Sequence, residues 1–464
     1  MRVLLVRPIS AKMPIVIPNI SLGYLASFLS GDRNDVKILD CAKERLGLEG
    51  FKQRMREFNP ELIGFQMFTC DYSSVKEMAR VTRAEFPQAA LLAGGPHPSA
   101  LPGETLEEIP ELDFVFFGEA ESGFPRLVSW LSGDKKEGLN SIPGLAFREG
   151  EKVRSGEREE IQDLSTIPFP RWDLIDPRTY PPAPHGTFTR ALPVAPVITS
   201  RGCPFACRYC AVHCTNGRKW RKREISDVVN EIEMLVREYG VKEIHIEDDN
   251  FTLDRERVFE FCEQLRERRL DISWACPNGV RLDTLEQKLL RAMEDSGCYS
   301  FAVGIESSSE KFQHMMRRQI SVNALEEKVK LVAESSRIRM TGFFMLGYPG
   351  ESLNEIKDTI DFACRLPLHR VQFSNFLPLP GTEVYEELVA QREIEPEMID
   401  WDDYLDNRIA YSPREVTARE LRGMMRQGFL HFYFRPWIIL DLLKEIHSFS
   451  QLKVVLRRVR DIFR

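Results

Sequence analysis

The chain has no surplus of positive charge: 63 Lys and Arg stand against 70 Asp and Glu in 464 residues, a formal net charge of −7. A protein built to hold a nucleic-acid backbone needs the opposite balance, so nucleic acid is not an expected partner. A run able to cross a bilayer is also missing. The most apolar late stretch, Phe429 to Leu443, is broken by Arg435-Pro436 and by Asp441, and it falls short of the roughly 20 apolar residues of a spanning helix. A strand-like run, Arg2-Val-Leu-Leu-Val6, begins at once, so no secretory leader is expected before it. Ten cysteines outside a secretory context read as metal ligands and buried thiols, not as disulfides. The expected compartment is the reducing cytoplasm, and the length predicts two or three domains.

Three of those cysteines are crowded into one loop, Cys203-Pro-Phe-Ala-Cys207-Arg-Tyr-Cys210, fed by the short apolar run Val194 to Ile198 through Arg201-Gly202. Thiolates this close hold a compact centre, and soft sulfur ligands suit an iron–sulfur cluster or zinc. A zinc site would recruit Cys214 as its fourth ligand. A four-iron cluster on three cysteines would instead keep one iron open to substrate. The spacing, with Tyr209 just before the last cysteine, resembles the radical S-adenosylmethionine (radical SAM) superfamily. That resemblance implies a 4Fe-4S cluster on Cys203, Cys207 and Cys210, whose open iron chelates the amino and carboxyl groups of SAM. Tyr209 would pack near the adenine, with Phe205 also on the SAM side. An external one-electron reductant of flavodoxin or ferredoxin type is implied as a partner.

Upstream of that loop, short apolar runs alternate with amphipathic stretches. Strands are predicted at Val3–Val6, Val36–Leu39, Leu62–Gln66, Ala90–Gly94 and Phe114–Phe117, with helices between them. This rhythm predicts a doubly wound parallel sheet, with ligands beyond the carboxyl ends of its strands. That edge carries Arg7-Pro8, Met67-Phe68-Thr69-Cys70-Asp71, Gly94-Gly95-Pro96-His97 and Gly118-Glu119-Ala120-Glu121. Together they resemble the amino-terminal domain of the cobalamin-dependent radical SAM enzymes, a family that includes methylases and the anaerobic magnesium-protoporphyrin monomethyl ester cyclase. The resemblance runs from Met1 to about Leu388 and implies cobalamin across the strand ends. Its nucleotide tail would enter near Gly94, Gly95, Pro96, His97, Gly118, Glu119 and Glu121. Arg7 and Pro8 would lie at the same edge, and the lower face of cobalt would meet the loop Met67 to Asp71 (Met67, Phe68, Thr69 and Cys70), where Cys70 reads first as a buried thiol and second as a cobalt contact. No Asp-x-His-x-x-Gly string occurs, so no histidine ligand to cobalt is expected, and His97 between two prolines is not read as one.

Between residues 136 and 192 the periodicity fails. A hairpin near Ile142 to Glu160 and a proline-rich stretch read as a connector after a first domain of residues 1–135. The βα rhythm then returns with strands at Val194–Ile198, Glu243–Glu247, Ile272–Ala275, Tyr299–Gly304, Arg339–Leu346 and Arg370–Leu377. Six such strands predict a partial (β/α)6 barrel over residues 193–390, its site at the carboxyl ends. The resemblance assigns Glu247, Asp248 and Asp249 to the SAM amino group, Arg281 to its carboxylate or ribose, Glu306 to the ribose side, and Gly347 to the SAM loop. Cys262, Cys298 and Cys364 read as core thiols, and Cys276, beside Pro277 at a strand end, as a structural thiol with contact to the active site as the alternative. A helical carboxyl-terminal domain is expected over 391–464, its last helix basic (Lys453, Arg457, Arg458, Arg460, Arg464 against Asp461), which allows contact with a membrane surface if the substrate is a lipid.

The implied chemistry is methylation of an unactivated carbon through a deoxyadenosyl radical and methylcobalamin, on a small-molecule or lipid-like substrate. The rival outcome with the same cofactors is oxidative cyclisation, rearrangement or carbon–carbon coupling. A methylthiotransferase fits less well, since only Cys41 and Cys70 precede Ser200 and no second cysteine cluster forms there. A cobalamin or redox sensor without turnover would not need the intact three-cysteine loop.

Overall fold

The structure, a computed structural model, describes residues 1–9, 16–29, 31, 33–181, 189–405 and 408–446. The amino-terminal apolar runs become β1 (Arg2–Arg7), β2 (Asp35–Asp40), β3 (Leu62–Gln66), β4 (Ala90–Gly94) and β5 (Phe114–Phe116). They pair in parallel in the order β2-β1-β3-β4-β5. Val3, Leu4, Leu5 and Val6 are all buried, because helices cover both faces of the sheet and leave no side for water. One face packs Phe51, Met55, Val75 and Met78; the other packs Leu22, Ala26, Phe124 and Leu127.

The hairpin expected in the connector instead completes this sheet. β6 (Leu145–Glu149) runs antiparallel to β5 and is followed by β7 (Lys152–Ser155). The first domain therefore reaches past residue 135, since β5 would otherwise expose an unpaired edge. The proline-rich stretch does behave as a wrap: Trp172 and Ile175 are buried in the core of the second domain.

That second domain is a six-stranded parallel sheet in chain order: β8 (Val194–Val197), β11 (Glu243–Ile246), β12 (Ser273–Val280), β13 (Cys298–Glu306), β14 (Arg339–Leu346) and β15 (Arg370–Asn375). Between its first two strands, β9 (Ser200–Arg201) and β10 (Arg221–Lys222) form a two-stranded antiparallel ribbon. Each crossover helix follows a readable pattern. The helix Ile225–Tyr239 buries Ile225, Val228, Val229, Ile232 and Leu235 and stops at Gly240, whose φ is 65°. The helix Leu353–Arg365 starts at a reciprocal cap between Ser352 and Glu355.

The described residues after 390 do not form a separate helical domain. The described residues of 392–416 are irregular, with single turns at Pro396–Met398 and Trp401–Asp403. The helix Ala418–Tyr433 then lies on β15, and Leu421, Met425 and Phe432 join the barrel core. Gly428 permits the approach: a Cβ there would come within 3.1 Å of Phe373. Tyr433 donates its hydroxyl to the Val371 carbonyl at 2.9 Å and accepts the Val371 N–H at 3.2 Å, closing the edge of the sheet. The helix Pro436–Glu445 turns Asp441 and Glu445 inward to Arg339 and leaves Trp437, Leu440 and Leu443 exposed. Among the described residues no helix is long and apolar enough to cross a membrane. The expected basic helix 449–464 lies outside the described residues.

Candidate functional site

The three cysteines lie on a loop clasped at its base by the β9–β10 ribbon, where Arg201 pairs with Arg221. Gly202 takes φ +83°, and a Cβ there would sit 2.3 Å from the Lys219 carbonyl, so only glycine closes the clasp. The Cys203 N–H reaches the Gly217 carbonyl at 3.4 Å, and Cys210 N–H donates to the Cys207 carbonyl at 3.2 Å. Arg208 bolts the far side, pairing with Glu383 and Glu387 and donating to the Met315 carbonyl. All three cysteines are half-buried. Among the described residues no three His, Cys, Asp or Glu side chains already stand at metal-holding separation. The donor set nevertheless suits a cluster with three protein thiolates. The fourth thiol nearby is occupied elsewhere: the Cys214 sulfur lies 3.7 Å from the Gly381 carbonyl, in space that a Cβ at Gly381 would take.

The acidic string after β11 divides by role. Asp248 is buried and accepts from Thr199 N–H at 2.6 Å and from the Thr199 and Ser200 hydroxyls at 2.5 and 2.6 Å. Asp249 accepts from the Gly202 N–H at 3.0 Å and the Asn216 amide at 2.9 Å. Burial pushes both carboxyls above their usual range, against the donors that pull them down. Both therefore brace the cysteine loop from beneath, Asp248 through both carboxylate oxygens and Asp249 through one. Glu247 alone reaches across the strand ends, accepting from the Asn278 amide at 2.8 Å.

The remaining predicted residues gather around the loop. Tyr209 donates its hydroxyl to Glu306 at 3.0 Å, and Arg318 lies 3.9 Å from the same carboxylate. Glu306 has φ +65°, a strained backbone for a residue with a side chain. Burial raises its carboxyl, while Arg318 and Tyr209 oppose that shift. Arg281 stacks over the Phe205 ring, 3.5 Å from its centroid, and forms an ion pair with Asp283 at 2.7 Å. Gly347 has φ +80°, and its N–H is taken by Glu351 at 2.6 Å, so that amide faces inward. Burial lifts the Glu351 carboxyl to about 7. Glu351 ends the string Gly347-Tyr-Pro-Gly-Glu351 that the sequence places after the fifth barrel strand, whereas Arg318 belongs to no recognisable spacing and sequence reasoning missed it. Cys276 is a core thiol at 1% exposure.

At the first sheet's carboxyl edge, Phe68 is 39% exposed, an apolar ring open at the end of β3. Gly94, Gly95, Pro96, Gly118 and Cys70 are partly open beside it, whereas Arg7, Pro8, Met67 and Thr69 are buried. Arg7 stands 3.5 Å from Asp40. Gly95, at φ +122°, is required by the chain itself, since a Cβ would lie 2.8 Å from the Met67 carbonyl. His97 is buried, with Tyr72 and Trp401 edge-on to its ring at 5.5 and 5.2 Å. It is therefore covered, not presented at the ledge. Glu119 and Glu121 also turn away from the ledge, toward Arg201 and Arg221 of the ribbon, which corrects their placement among tail-facing residues. Open apolar and glycine-rich backbone above a sheet edge suits a large planar group with a tail.

The B12 binding domain family model matches residues 6–128, and the Radical SAM superfamily model matches residues 197–363. An uncharacterized methyltransferase of Pyrococcus horikoshii is 30% identical over all of this chain and 98% of its own. The cytidylyl-2-hydroxyethylphosphonate methyltransferase of Streptomyces wedmorensis is 28% identical, covering 85% of this chain and 83% of its own. The anaerobic magnesium-protoporphyrin IX monomethyl ester cyclase of Cereibacter sphaeroides is 26% identical over 87% of this chain and 66% of its own. Among solved structures, the radical SAM methyltransferase TsrM of Kitasatospora setae, with cobalamin and a [4Fe-4S] cluster bound, shares the fold at TM-score 0.70 and 18% identity, over 96% of this chain and 91% of that one.

Proposed function

The chain belongs to the cobalamin-dependent radical SAM methyltransferase family, and from that premise we propose that it methylates an unactivated carbon of a small molecule in the cytoplasm. When bound, the 4Fe-4S cluster, SAM and cobalamin supply the electron, the radical and the methyl carrier. The chain supplies placement and shielding. Cys203, Cys207 and Cys210 hold the cluster. Tyr209, Phe205, Arg281, Glu247 and Glu306 line the SAM side, Arg318 fixing the orientation of Glu306 and Tyr209. Phe68, Gly94, Gly95, Pro96 and Gly118 form the ledge for cobalamin, and the buried Met67, Thr69 and His97 support it from below. Arg7 and Pro8 close the end of β1. No acid–base pair is needed to transfer a methyl group to such a carbon.

One observation carries the reading. The Glu119 carboxylate, next to Gly118 on the ledge, forks onto Arg221 at 2.8 Å, so the two cofactor stations stand on either side of one buried contact. The test uses reconstituted protein, an external one-electron reductant of flavodoxin type, SAM with a trideuterated methyl group and a small-molecule substrate panel. S-adenosylhomocysteine released in step with deoxyadenosine and a trideuteromethylated product supports the proposal. An altered but unmethylated product with deoxyadenosine alone refutes it and assigns a cyclase-type outcome.

A further inference from the structure

Two buried carboxylates of the first domain hold two buried arginines of the second. Glu119 receives both Arg221 terminal nitrogens at 2.8 Å and lies 3.3 Å from Arg201. It also accepts the Ile161 N–H of the connector at 3.0 Å. Glu121 meets Arg201 at 2.6 Å. All four side chains are no more than 9% exposed. Burial works to raise the Glu119 carboxyl, yet the two arginines hold it below its usual range, so the group is a carboxylate in this setting.

The arginines are not arbitrary anchor points. They are the paired residues of the β9–β10 ribbon, and Arg201 precedes Cys203 by a single glycine. Arg221 also donates to the Asn216 carbonyl at 2.7 Å, and the Asn216 amide in turn holds Asp249. A second strap runs alongside. Arg158 of the connector donates to the carbonyls of His213, Cys214 and Thr215, passing over Gly118, where a Cβ would sit 3.0 Å from its Nε. The barrel braces the loop through Asp248 and Asp249, and the first domain braces it through Glu119 and Glu121.

We propose that Glu119 and Glu121 are positioning residues that act through Arg221 and Arg201 to fix the cysteine loop against the ledge of the first domain before any cofactor binds. A fork with two parallel bonds sets angle as well as distance, and a buried pair cannot exchange its partner for water. The inference rests on the proposed function only for the identity of what the loop holds.

The test is hydrogen exchange on the cofactor-free full chain, so it stands whether or not methyl transfer is observed. Glu119→Gln is compared with Val329→Ala, a core truncation on the helix Val322–Ser335, at conditions matched for loss of melting temperature. The expected result is exchange at least tenfold faster in the amides of residues 200–221 for Glu119→Gln alone, with β13 and β14 unchanged. Glu119→Asp, which keeps the charge, recovers part of the protection. If Glu119→Gln does not fold, Glu121→Gln is read in the same way, because it removes only the single contact to Arg201. A profile equal to that of Val329→Ala or of the unaltered chain overturns the proposal.

Discussion

Replacing Trp401 by alanine tests how the irregular segment after the barrel seals the first domain. Trp401 is 7% exposed, and its ring stands 5.2 Å from His97 and 5.0 Å from Tyr404. Truncating a buried tryptophan costs about 3–5 kcal/mol. The histidine gives a second reading. Burial alone holds His97 down at about 4, against 6.5 for an open imidazole. A depressed histidine contributes stability that is present above pH 6.5 and lost as pH falls through 4, up to about 3 kcal/mol for this shift. Trp401→Ala admits water to the ring, so the His97 titration moves up toward 6.5 and the acid-side slope of stability flattens. Urea unfolding at pH 7.5 and pH 5 measures the slope. Histidine resonances assigned with a His97→Asn variant follow the titration. A His97 that still titrates near 4 in Trp401→Ala refutes the reasoning and assigns the seal to Tyr72 and the sheet.

Three further outcomes follow from the same geometry. Alanine at Cys203, Cys207 or Cys210 abolishes the iron retained on anaerobic reconstitution, while Cys214→Ala keeps it; iron loss in Cys214→Ala would favour a four-thiolate site. Gly95→Ala lowers stability by about 2 kcal/mol or more, from its positive φ and its contact with the Met67 carbonyl, and melting curves check this with iron content unchanged. Glu351 carries a raised carboxyl near 7, so its contribution is present below pH 4.5 and lost as pH rises through 7, a change of up to about 3 kcal/mol. Glu351→Gln removes that fall, which urea titrations at pH 5 and pH 8 resolve.

β3 and β4, covered on both faces, read as apolar runs, and β14, buried on alternate residues, reads from its apolar end; all three match the sequence reading residue for residue. The hairpin was placed in the wrong unit because its pairing with β5 is a matter of edge satisfaction, which no local pattern reports. The cysteine loop was legible from spacing. The carboxylates beside it were not, since a strand-end Asp or Glu looks the same whether it faces a ligand or a buried donor. Asp248 and Asp249 serve backbone and hydroxyl groups of the loop's own base, and Glu119 finds Arg221 across 102 residues of chain. Trp401 escaped for the same reason: its partner His97 lies in another domain, and the segment around it has no periodicity.

The most direct measurement of the central claim is cofactor loading. Anaerobic reconstitution with iron, sulfide and hydroxocobalamin, followed by metal analysis and visible spectra, is expected to give four irons and one cobalamin per chain, with a base-off cobalamin spectrum because no histidine among the described residues is presented at the ledge. A chain that takes up the cluster but releases cobalamin contradicts the account of the first domain.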